Sequence, residues 1–326
     1  MHDEVEREKG SRSTDSAQAS RDEKNRGFVS SSQIKKAVIA AAGFGTRFLP
    51  QTKAMPKEML PLVDKPIIQH VVEELVDAGI EDIIIVSNYS KRTIEDHFDV
   101  PSGELTKVLE AGGKHEQLEQ MRKIADLANF VYVRQKEPLG NAAPLIYAGH
   151  LIRDEPFIYA FADDFFVATP SRFRQMITAY EQTGASILSC KRLENDADYD
   201  RYGVVAGDKQ DGGMIKVSTI VEKPGKAHAP SDLGSFSSYL FTPAMLAYVE
   251  RIRQEYNPEA DGELKIQDAM QLMLNEGHEI FGLEIANGRY YDAGNKLEYM
   301  KTVVDFALER DDIGPDFRRF LQDKLR

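Results

Sequence analysis

Residues 37–61 of the chain read AVIAAAGFGTRFLPQTKAMPKEMLP. The stretch begins as an apolar run, turns through two glycines, and continues as a proline-containing loop that carries Arg47, Lys53 and Lys57. Glycine exposes backbone N–H groups to a ligand and the loop adds positive charge, so a strand followed by such a loop is suited to bind a polyphosphate. We therefore expect the rest of the chain to be organised around this loop.

The glycine loop differs from two familiar phosphate-binding sequences. A dinucleotide fingerprint needs a third glycine, which is missing, and Pro50 interrupts the helix that should receive the pyrophosphate. The chain also lacks a GxxxxGKS or GxxxxGKT sequence, so a Walker loop is excluded. An NAD(P)-dependent oxidoreductase is therefore disfavoured. By themselves, Gly43 and Gly45 are equally compatible with an ordinary strand-to-loop turn that has basic residues on its surface.

Apolar runs and amphipathic segments alternate on both sides of the loop. The runs predict buried strands at 34–42, 80–86, 130–133, 157–162 and 185–190. Helices are predicted from 65 to 79, 90–98, 105–127 with a break at Gly112–Gly113, 140–152 and 171–183. This alternation predicts an α/β fold with a Rossmann-like, doubly wound, mixed but mostly parallel sheet. Ligands lie at the carboxyl ends of strands in such sheets, where the glycine loop and Asp163 both fall.

The second half of the chain has a less regular pattern. Strands are predicted at 202–206, 214–221, 235–241 and 280–285, and helices at 243–255, 267–276, 296–308 and 316–325. This part is interpreted as a smaller β elaboration of the same domain, which would span residues 34–326. Residues 1–33 are charged and serine-rich with almost no apolar periodicity, so they are predicted to form a disordered tail.

Composition limits the class of protein. The 326 residues carry 41 basic and 53 acidic side chains, a formal net charge of −12, which argues against bulk binding of nucleic acid. Cys190 is the single cysteine, so an internal disulfide and a cysteine metal site are both excluded and a reducing compartment is favoured. No apolar run reaches the ~20 residues that cross a bilayer, so we expect a cytoplasmic protein without a membrane partner.

Two aspartates are candidate metal ligands. Asp163 and Asp164 follow the fourth predicted strand, and one carboxylate at a strand end suits Mg²⁺, which takes its other oxygens from phosphates and water. A solvated turn is the plain alternative. Asp292 precedes Gly294 and a predicted helix, where it equally fits a cap or a turn.

Two further segments are suited to recognise the remaining parts of a nucleotide ligand. Gln135 precedes a Pro138–Gly140 turn, and a glutamine can both donate to and accept from a base edge. Glu222 and Lys223 end a predicted strand, where the pair could hold a sugar hydroxyl and a phosphate. An ordinary loop and a surface ion pair explain the same residues equally well.

Residues 43–61, with the following LVDKPIIQ, decide between these alternatives. The run TKAMPKEMLPLVDKPIIQ at 52–69 resembles the signature of the sugar-nucleotide pyrophosphorylases. Within them it is most similar to the bacterial UTP–glucose-1-phosphate uridylyltransferases, which share TKAxPKEMLPLVDKPxIQ. The resemblance continues in order to about residue 320, and the N-terminal tail lies outside it.

The resemblance implies a reaction in which UTP and glucose 1-phosphate give UDP-glucose and pyrophosphate with the aid of Mg²⁺. It assigns Arg47 to the triphosphate, Lys57 to the phosphate region and Lys223 to the sugar phosphate. Asp163 and Asp292 are the implied metal ligands, and Asp164 is a weaker candidate. The implied nucleotide and sugar contacts are Ala42, Gly43, Gly45, Gln135 and Gly140 for the nucleotide, and Gly203 and Glu222 for the sugar. The family forms homo-oligomers, so a dimer or tetramer is expected.

Several positions depart from the family pattern and leave the sugar open. The usual GEIQLTD reads GELKIQD at 262–268, so Lys265 and Gln267 are two residues that differ from the pattern. The usual GRY reads Ser237-Ser238-Tyr239. Asn141 stands where histidine or threonine is more usual, with an effect that the sequence does not define. A related enzyme for dTTP or another sugar 1-phosphate is therefore the nearest alternative, and a non-catalytic nucleotide-sugar-binding protein is a more distant one.

Overall fold

The structure is a computed structural model that describes residues 34–259 and 262–325; the predicted tail at 1–33 lies outside the described residues. Its strands are β1 (Lys36–Ala40), β2 (Pro61–Leu62), β3 (Lys65–Pro66), β4 (Asp82–Ser87), β5 (Asn129–Arg134), β6 (Phe157–Phe161), β7 (Asp164–Ala168), β8 (Ser186–Arg192), β9 (Gly203–Lys209), β10 (Met214–Glu222), β11 (Leu233–Phe241), β12 (Ile280–Glu284) and β13 (Gly288–Asp292).

The helices follow the predicted segments closely. They are α1 (Ile67–Asp77), α2 (Arg92–His97), α3 (Gly103–Ala111), α4 (His115–Ala125), α5 (Ala143–Ile152), α6 (Arg172–Thr183), α7 (Ala244–Glu255), α8 (Ile266–Asn275), α9 (Lys296–Glu309) and α10 (Gly314–Lys324). The predicted break at Gly112–Gly113 separates α3 from α4. Within the described ranges, no helix combines the length and apolar character that a membrane span requires.

A nine-stranded sheet organises the described chain, in the order β5-β4-β1-β6-β11-β8-β12-β10-β9. The first four of these strands are parallel, and so are β8 and β12. The other neighbouring pairs are antiparallel, including β9 and β10, which are joined by a turn too short for a parallel crossover. The predicted mixed α/β sheet is confirmed, although parallel pairing dominates only on the β5-to-β6 side.

Both faces of the sheet are buried, as a doubly wound fold requires. Alternate residues of β1 show this directly. Ala37 and Ile39 belong to a core cluster shared with α1, whereas Val38 belongs to a second cluster shared with α5, α7 and α8. All three side chains are 0% exposed. The apolar run that opens the phosphate loop is therefore fixed from both sides, and the loop after it starts from a rigid support.

A separate ladder of β7 and β13 was not predicted from the sequence. The two strands pair antiparallel, with Asp292 directly opposite Asp164. The backbone N–H of Ala293 also donates to the carbonyl of Asp163 at 3.0 Å. This ladder brings the second half of the chain back to the end of β6, which is the condition for Asp163 and Asp292 to share a site.

Candidate active site

The sequence-predicted site residues lie around one cleft of about 930 Å³ at the carboxyl ends of β1 and β6. Among the residues that line it are Ala42, Gly43, Gly45, Arg47, Lys57, Gln135, Gly140, Asp163, Gly203, Glu222, Lys223 and Asp292. Lys53, the remaining cation of the glycine loop, is exposed and does not line this cleft in the described chain. The structure thus brings the residues together, and the ligand assigned to each stays a prediction.

Gly45 determines the backbone conformation of the glycine loop. Its φ of +64° is left-handed, and a Cβ there would lie 3.2 Å from both the Lys57 Cβ and the Thr52 Cγ2. Thr52 Oγ1 donates to the Gly45 carbonyl at 2.8 Å, which holds the turn closed. A side chain at this position would therefore strain the turn and press on the stem of Lys57.

Lys57 and Asp163 form an ion pair inside the cleft. Burial alone would lower the pKa of Lys57, but the carboxylates of Asp163 and Glu58 outweigh it and hold that pKa above the ordinary lysine value. Burial likewise opposes ionisation of Asp163, yet the Lys57 charge holds the pKa of Asp163 below its usual range. Both groups are consequently charged at neutral pH, so the cleft contains a paired cation and anion.

A second ion pair, which the sequence did not reveal, lies behind Lys57. The ammonium of Lys91 donates to both carboxylate oxygens of Glu58 at 2.7 and 2.8 Å. The two side chains are only 4% and 1% exposed. Burial raises the pKa of Glu58 and lowers the pKa of Lys91, while their mutual attraction opposes both shifts. The pair fixes the segment that carries Lys57 against α2.

Asp292 is held by three donors. Its Oδ2 accepts from the guanidinium of Arg201 and, at 2.9 Å, from Tyr202 Oη; its Oδ1 accepts from the Gly294 backbone N–H at 2.7 Å. Burial raises the pKa of Tyr202, and the adjacent carboxylate raises it further, so the phenol stays a donor. Contact of Arg201 and Tyr202 with Asp292 is not predicted from the sequence, because both residues precede Asp292 by about ninety positions and meet it only in the fold.

The space beside Gly294 fits a divalent cation that is completed by a ligand. A Cβ on Gly294 would lie 2.8 Å from Asp292 Oδ1, 3.5 Å from Asp163 Oδ2 and 3.9 Å from Arg47 Nη1. Two carboxylates and one guanidinium therefore meet around a residue without a side chain. The described residues contain no group of three or more His, Cys, Asp or Glu side chains that could hold a metal alone. Such a donor set suits Mg²⁺, which binds through one or two carboxylates plus phosphates and water.

Gly203 and Glu222 both line the cleft and lie next to each other. They are register partners in the β9–β10 ladder, and a Cβ on Gly203 would lie 3.1 Å from Glu222 Oε2. Lys223 pairs with Glu222 at 3.2 Å and has a φ of +47°, an uncommon conformation for a residue other than glycine. Its side chain is 53% exposed. The turn after β10 thus holds a largely solvated cation at the cleft.

The Gln135 and Gly140 loop forms another part of the cleft. Gln135 Nε2 donates to the Glu137 carbonyl at 2.8 Å. Its Oε1 is shielded from solvent and accepts no hydrogen bond from the described residues, so it is available to a donor on a ligand. Gly140 has a φ of +117°, and a Cβ there would lie 2.4 Å from the Leu264 carbonyl oxygen. Only glycine fits this approach between the loop and the segment before α8.

The positions that depart from the family pattern fall in different places. Ser238 is buried on β11 and Lys265 is exposed before α8, and neither lines the cleft of the described chain. Gln267 and Asn141 both line it. Among the departures whose side chains the structure describes, Asn141 and Gln267 are therefore the two placed to contact a ligand directly.

A doubly wound sheet with a glycine loop, clustered cations and two facing aspartates defines an α/β protein that binds a phosphorylated nucleotide. The nucleotidyl transferase family profile matches residues 36–307. The chain belongs to this family, and it is therefore a nucleotidyltransferase. Proteins of this kind generally use a divalent metal ion.

Individual relatives are more specific. The chain is 43% identical over 293 residues to the UTP–glucose-1-phosphate uridylyltransferase of Bacillus subtilis (strain 168), across 90% of this chain and 98% of that protein. It is 41% identical over 290 residues to the enzyme of the same name from Staphylococcus epidermidis, across 89% of this chain and 98% of that protein. The resemblance indicated by residues 43–69 is thus confirmed.

Solved structures agree with these relatives. A UDP-glucose pyrophosphorylase complexed with UDP-glucose matches with a TM-score of 0.75 and 34% identity, across 85% of this chain and 100% of that chain. A UTP-bound UGPase from Acinetobacter baumannii matches with a TM-score of 0.78 and 32% identity, across 89% of this chain and 99% of that chain.

Proposed function

We propose that this chain transfers a uridylyl group from UTP to glucose 1-phosphate and releases pyrophosphate, with UDP-glucose as the product. The observation that carries the proposal is the meeting of Asp163, Asp292 and Arg47 around Gly294, inside a cleft that also contains Lys57 and Lys223. The names of the relatives supply the substrates, because UTP and UDP-glucose are bound in the matching structures.

The nucleophile is an oxygen of the sugar phosphate, which is already ionised at neutral pH. A general base is therefore unnecessary, and the barrier lies in bringing two anions together in line at the α-phosphorus. Lys223 would hold the attacking phosphate. Arg47 would hold the triphosphate and stabilise the departing pyrophosphate. Lys57 would offset the charge that develops between them, which is electrostatic stabilisation by a positioned group.

We assign the metal site to Asp163 and Asp292 and the metal to Mg²⁺. When bound there, Mg²⁺ would supply charge neutralisation and orient the reacting phosphates. The ion pair between Lys57 and Asp163 holds both side chains in the cleft. Arg201 and Tyr202 hold Asp292 by its Oδ2, while Oδ1, which also accepts from the Gly294 N–H, borders the Gly294 space.

Recognition of the base and the sugar is assigned to the other sides of the cleft. Gln135 Oε1 would accept from the uracil N–H, and the backbone around Gly140 would contact the base edge. Gly203 and Glu222 would contact the sugar, since Glu222 lies across the ladder from a residue without a side chain. A related reaction with dTTP or another sugar 1-phosphate is the alternative, which the changes at Asn141 and Gln267 keep open.

Three broader expectations accompany this proposal. A single nucleotidyltransferase domain over residues 34–326 is supported by the family match at 36–307. A cytoplasmic location is supported by the single, buried cysteine. A homo-oligomer, either dimer or tetramer, follows from the family resemblance.

A pyrophosphate-release panel tests the function directly. The purified chain is supplied with Mg²⁺ and each of UTP, dTTP, CTP, ATP and GTP, in combination with several sugar 1-phosphates. The proposal predicts the highest kcat/KM for UTP with glucose 1-phosphate. A different best pair would overturn the named substrates while leaving a nucleotidyltransferase. Nucleotide-sugar binding without pyrophosphate release from any pair would show a binding protein instead.

A further inference from the structure

Asn141 connects the Gln135–Gly140 loop to the first turn of α8. Its Oδ1 accepts from the backbone N–H of Ile266 at 2.7 Å, and its Nδ2 donates to Gln267 Oε1 at 3.2 Å. Ile266 is the first residue of α8, where backbone N–H groups have no partner within the helix. The Asn141 side chain thus caps a helix that lies more than a hundred positions away in sequence.

The hydrogen bond from Ile266 fixes the orientation of two amides in succession. A backbone N–H can only donate, so the side-chain oxygen of Asn141, and not its nitrogen, must face Ile266. The nitrogen of Asn141 then faces Gln267, and a nitrogen donor requires the oxygen of Gln267 as its acceptor. Consequently the NH₂ group of Gln267 is left over. It donates to no other group in the described chain, and Gln267 lines the cleft.

The backbone around Asn141 holds this arrangement in place. Leu264 donates to the Leu139 carbonyl at 2.6 Å, and its own carbonyl accepts from Ala142 at 3.1 Å. The absent side chain of Gly140 allows that close pairing. The phenol of Tyr159 donates to the Asn141 carbonyl at 2.5 Å. Because the residues on both sides of Asn141 are tied down, its amide has little freedom to turn over.

We propose that Asn141 is a positioning residue that makes Gln267 a hydrogen-bond donor toward a hydroxyl oxygen of the bound nucleotide sugar. This inference rests on the proposed function, because it concerns the substrates of the same cleft. The recognised hydroxyl belongs either to the sugar or to the ribose, and both present the same acceptor. Gln267 is where sugar or nucleotide preference is set in this chain, and Asn141 determines which end of its amide does so.

The variant Asn141→Asp tests the orientation rather than the presence of the contact. An aspartate keeps an oxygen for the Ile266 N–H, and its negative charge is favourable at a helix N-terminus, so the fold is retained. Its second oxygen needs a donor, which turns the Gln267 amide over and directs Oε1 into the cleft. Gln267→Glu reaches the same result independently, because the glutamate accepts from Asn141 and presents an oxygen to the ligand.

Deoxy and deoxyfluoro substrates report which end of the amide faces the ligand. Fluorine accepts a hydrogen bond weakly and donates none, whereas hydrogen does neither. Each hydroxyl of glucose 1-phosphate, and the 2′ and 3′ hydroxyls of UTP, is replaced by fluorine and by hydrogen in turn. The kcat/KM for every analogue is measured for wild type, both variants and the control Asn275→Asp. That control adds the same charge to the exposed end of α8, where Asn275 accepts from Gln271.

At one hydroxyl position, the wild type and the control should use the fluoro analogue better than the deoxy analogue. In both variants the order should reverse, since fluorine then faces an oxygen. Each preference should be on the order of 3- to 10-fold, as expected for one neutral hydrogen bond. The position at which the reversal occurs tells whether the hydroxyl belongs to the sugar or to the ribose.

The inference is overturned if no position reverses, or if both variants lose activity equally with every analogue and show a lower Tm, which is the result of a purely structural role. Failure of the proposed function has a separate signature, because it is the wild type that then favours another substrate pair in the pyrophosphate panel. In that case the fluoro and deoxy comparison is made on the favoured pair, and the same reversal is required.

Discussion

Replacement of Lys91 by methionine is a sharp test of how the phosphate loop is supported. Methionine has a similar length and no charge, so the change removes both hydrogen bonds to Glu58 without opening a large cavity. Glu58 is 1% exposed, and its carboxylate would be left buried without its partner. Breaking a buried ion pair from one side costs about 3–5 kcal/mol in the free energy of unfolding. At about 2.1 cal/mol/K of unfolding entropy per residue, a domain of this length loses about 1.6 °C per kcal/mol, so the Tm should fall by roughly 5–8 °C.

The loss should also depend on pH. Burial raises the folded-state pKa of Glu58 above its unfolded value, and removal of Lys91 raises it further. An acid whose folded pKa is raised destabilises the fold once pH exceeds its unfolded pKa, and the full penalty is present above the folded pKa. The Tm difference between wild type and Lys91→Met should therefore be large near neutral pH and should narrow as pH falls toward 5. It should narrow again at alkaline pH, because burial lowers the pKa of Lys91 and the wild type then loses the ammonium that pairs with Glu58.

The test is to measure the Tm of wild type, Lys91→Met, a double variant and an exposed control variant across a range of pH. The double variant Lys91→Met/Glu58→Met removes both charges and should recover much of the lost Tm, because apolar replacement of a whole buried pair is often neutral. Lys216→Met breaks an exposed pair with Glu279 and should change the Tm little. The reasoning is refuted if Lys91→Met behaves like Lys216→Met, or if the double variant is no more stable than the single one.

Two further substitutions test the cleft itself. Arg47→Ala should lower kcat for UDP-glucose formation by about 10²-fold or more, with a Tm near that of wild type. Arg47 is exposed, and the hydrogen bond that it donates to the Gly294 carbonyl is long at 3.4 Å. A large fall in Tm would instead show a structural role. Gly140→Ala should lower both the Tm and the affinity for UTP measured by calorimetry. The added Cβ would lie 2.4 Å from the Leu264 carbonyl oxygen, and the φ of +117° is unfavourable for alanine. An unchanged UTP affinity would show that the loop at Gly140 does not contact the base.

The parts of the fold that could be predicted are those written in local patterns. Strands β1, β4 and β6 were predictable because a strand that is buried on both faces needs a nearly continuous apolar run. Helix α1 was predictable from apolar residues at helical spacing. Proximity of Asp163 to Asp292 required the β7–β13 ladder, which was missed. Asp164–Ala168 begins only three residues after β6 ends, and the acidic pair Asp163–Asp164 was interpreted as the end of the predicted strand, so the second strand beyond it was not predicted.

The supporting contacts of the site could not be predicted, since they join distant parts of the chain. Lys91 reaches Glu58 from α2, and Arg201 reaches Asp292 from the turn before β9. Neither pair has a fixed sequence spacing that a motif could express. Asn141 was noticed only as a departure from the family pattern, and its bond to Ile266 gives that departure a physical role. The roles of these residues depend on tertiary contacts, which local sequence patterns do not reveal.

Asp163 and Asp292 are proposed to bind Mg²⁺ together for the transfer of a uridylyl group. The most direct measurement is the initial rate of UDP-glucose formation from UTP and glucose 1-phosphate, titrated with Mg²⁺, for wild type, Asp163→Asn and Asp292→Asn. We expect a Mg²⁺-dependent rate in wild type and a loss of at least about 100-fold in each variant, beyond the ~10–100-fold typical of residues that only support a metal ligand. A wild type that forms no UDP-glucose, or variants that keep the wild-type rate and Mg²⁺ dependence, would contradict it.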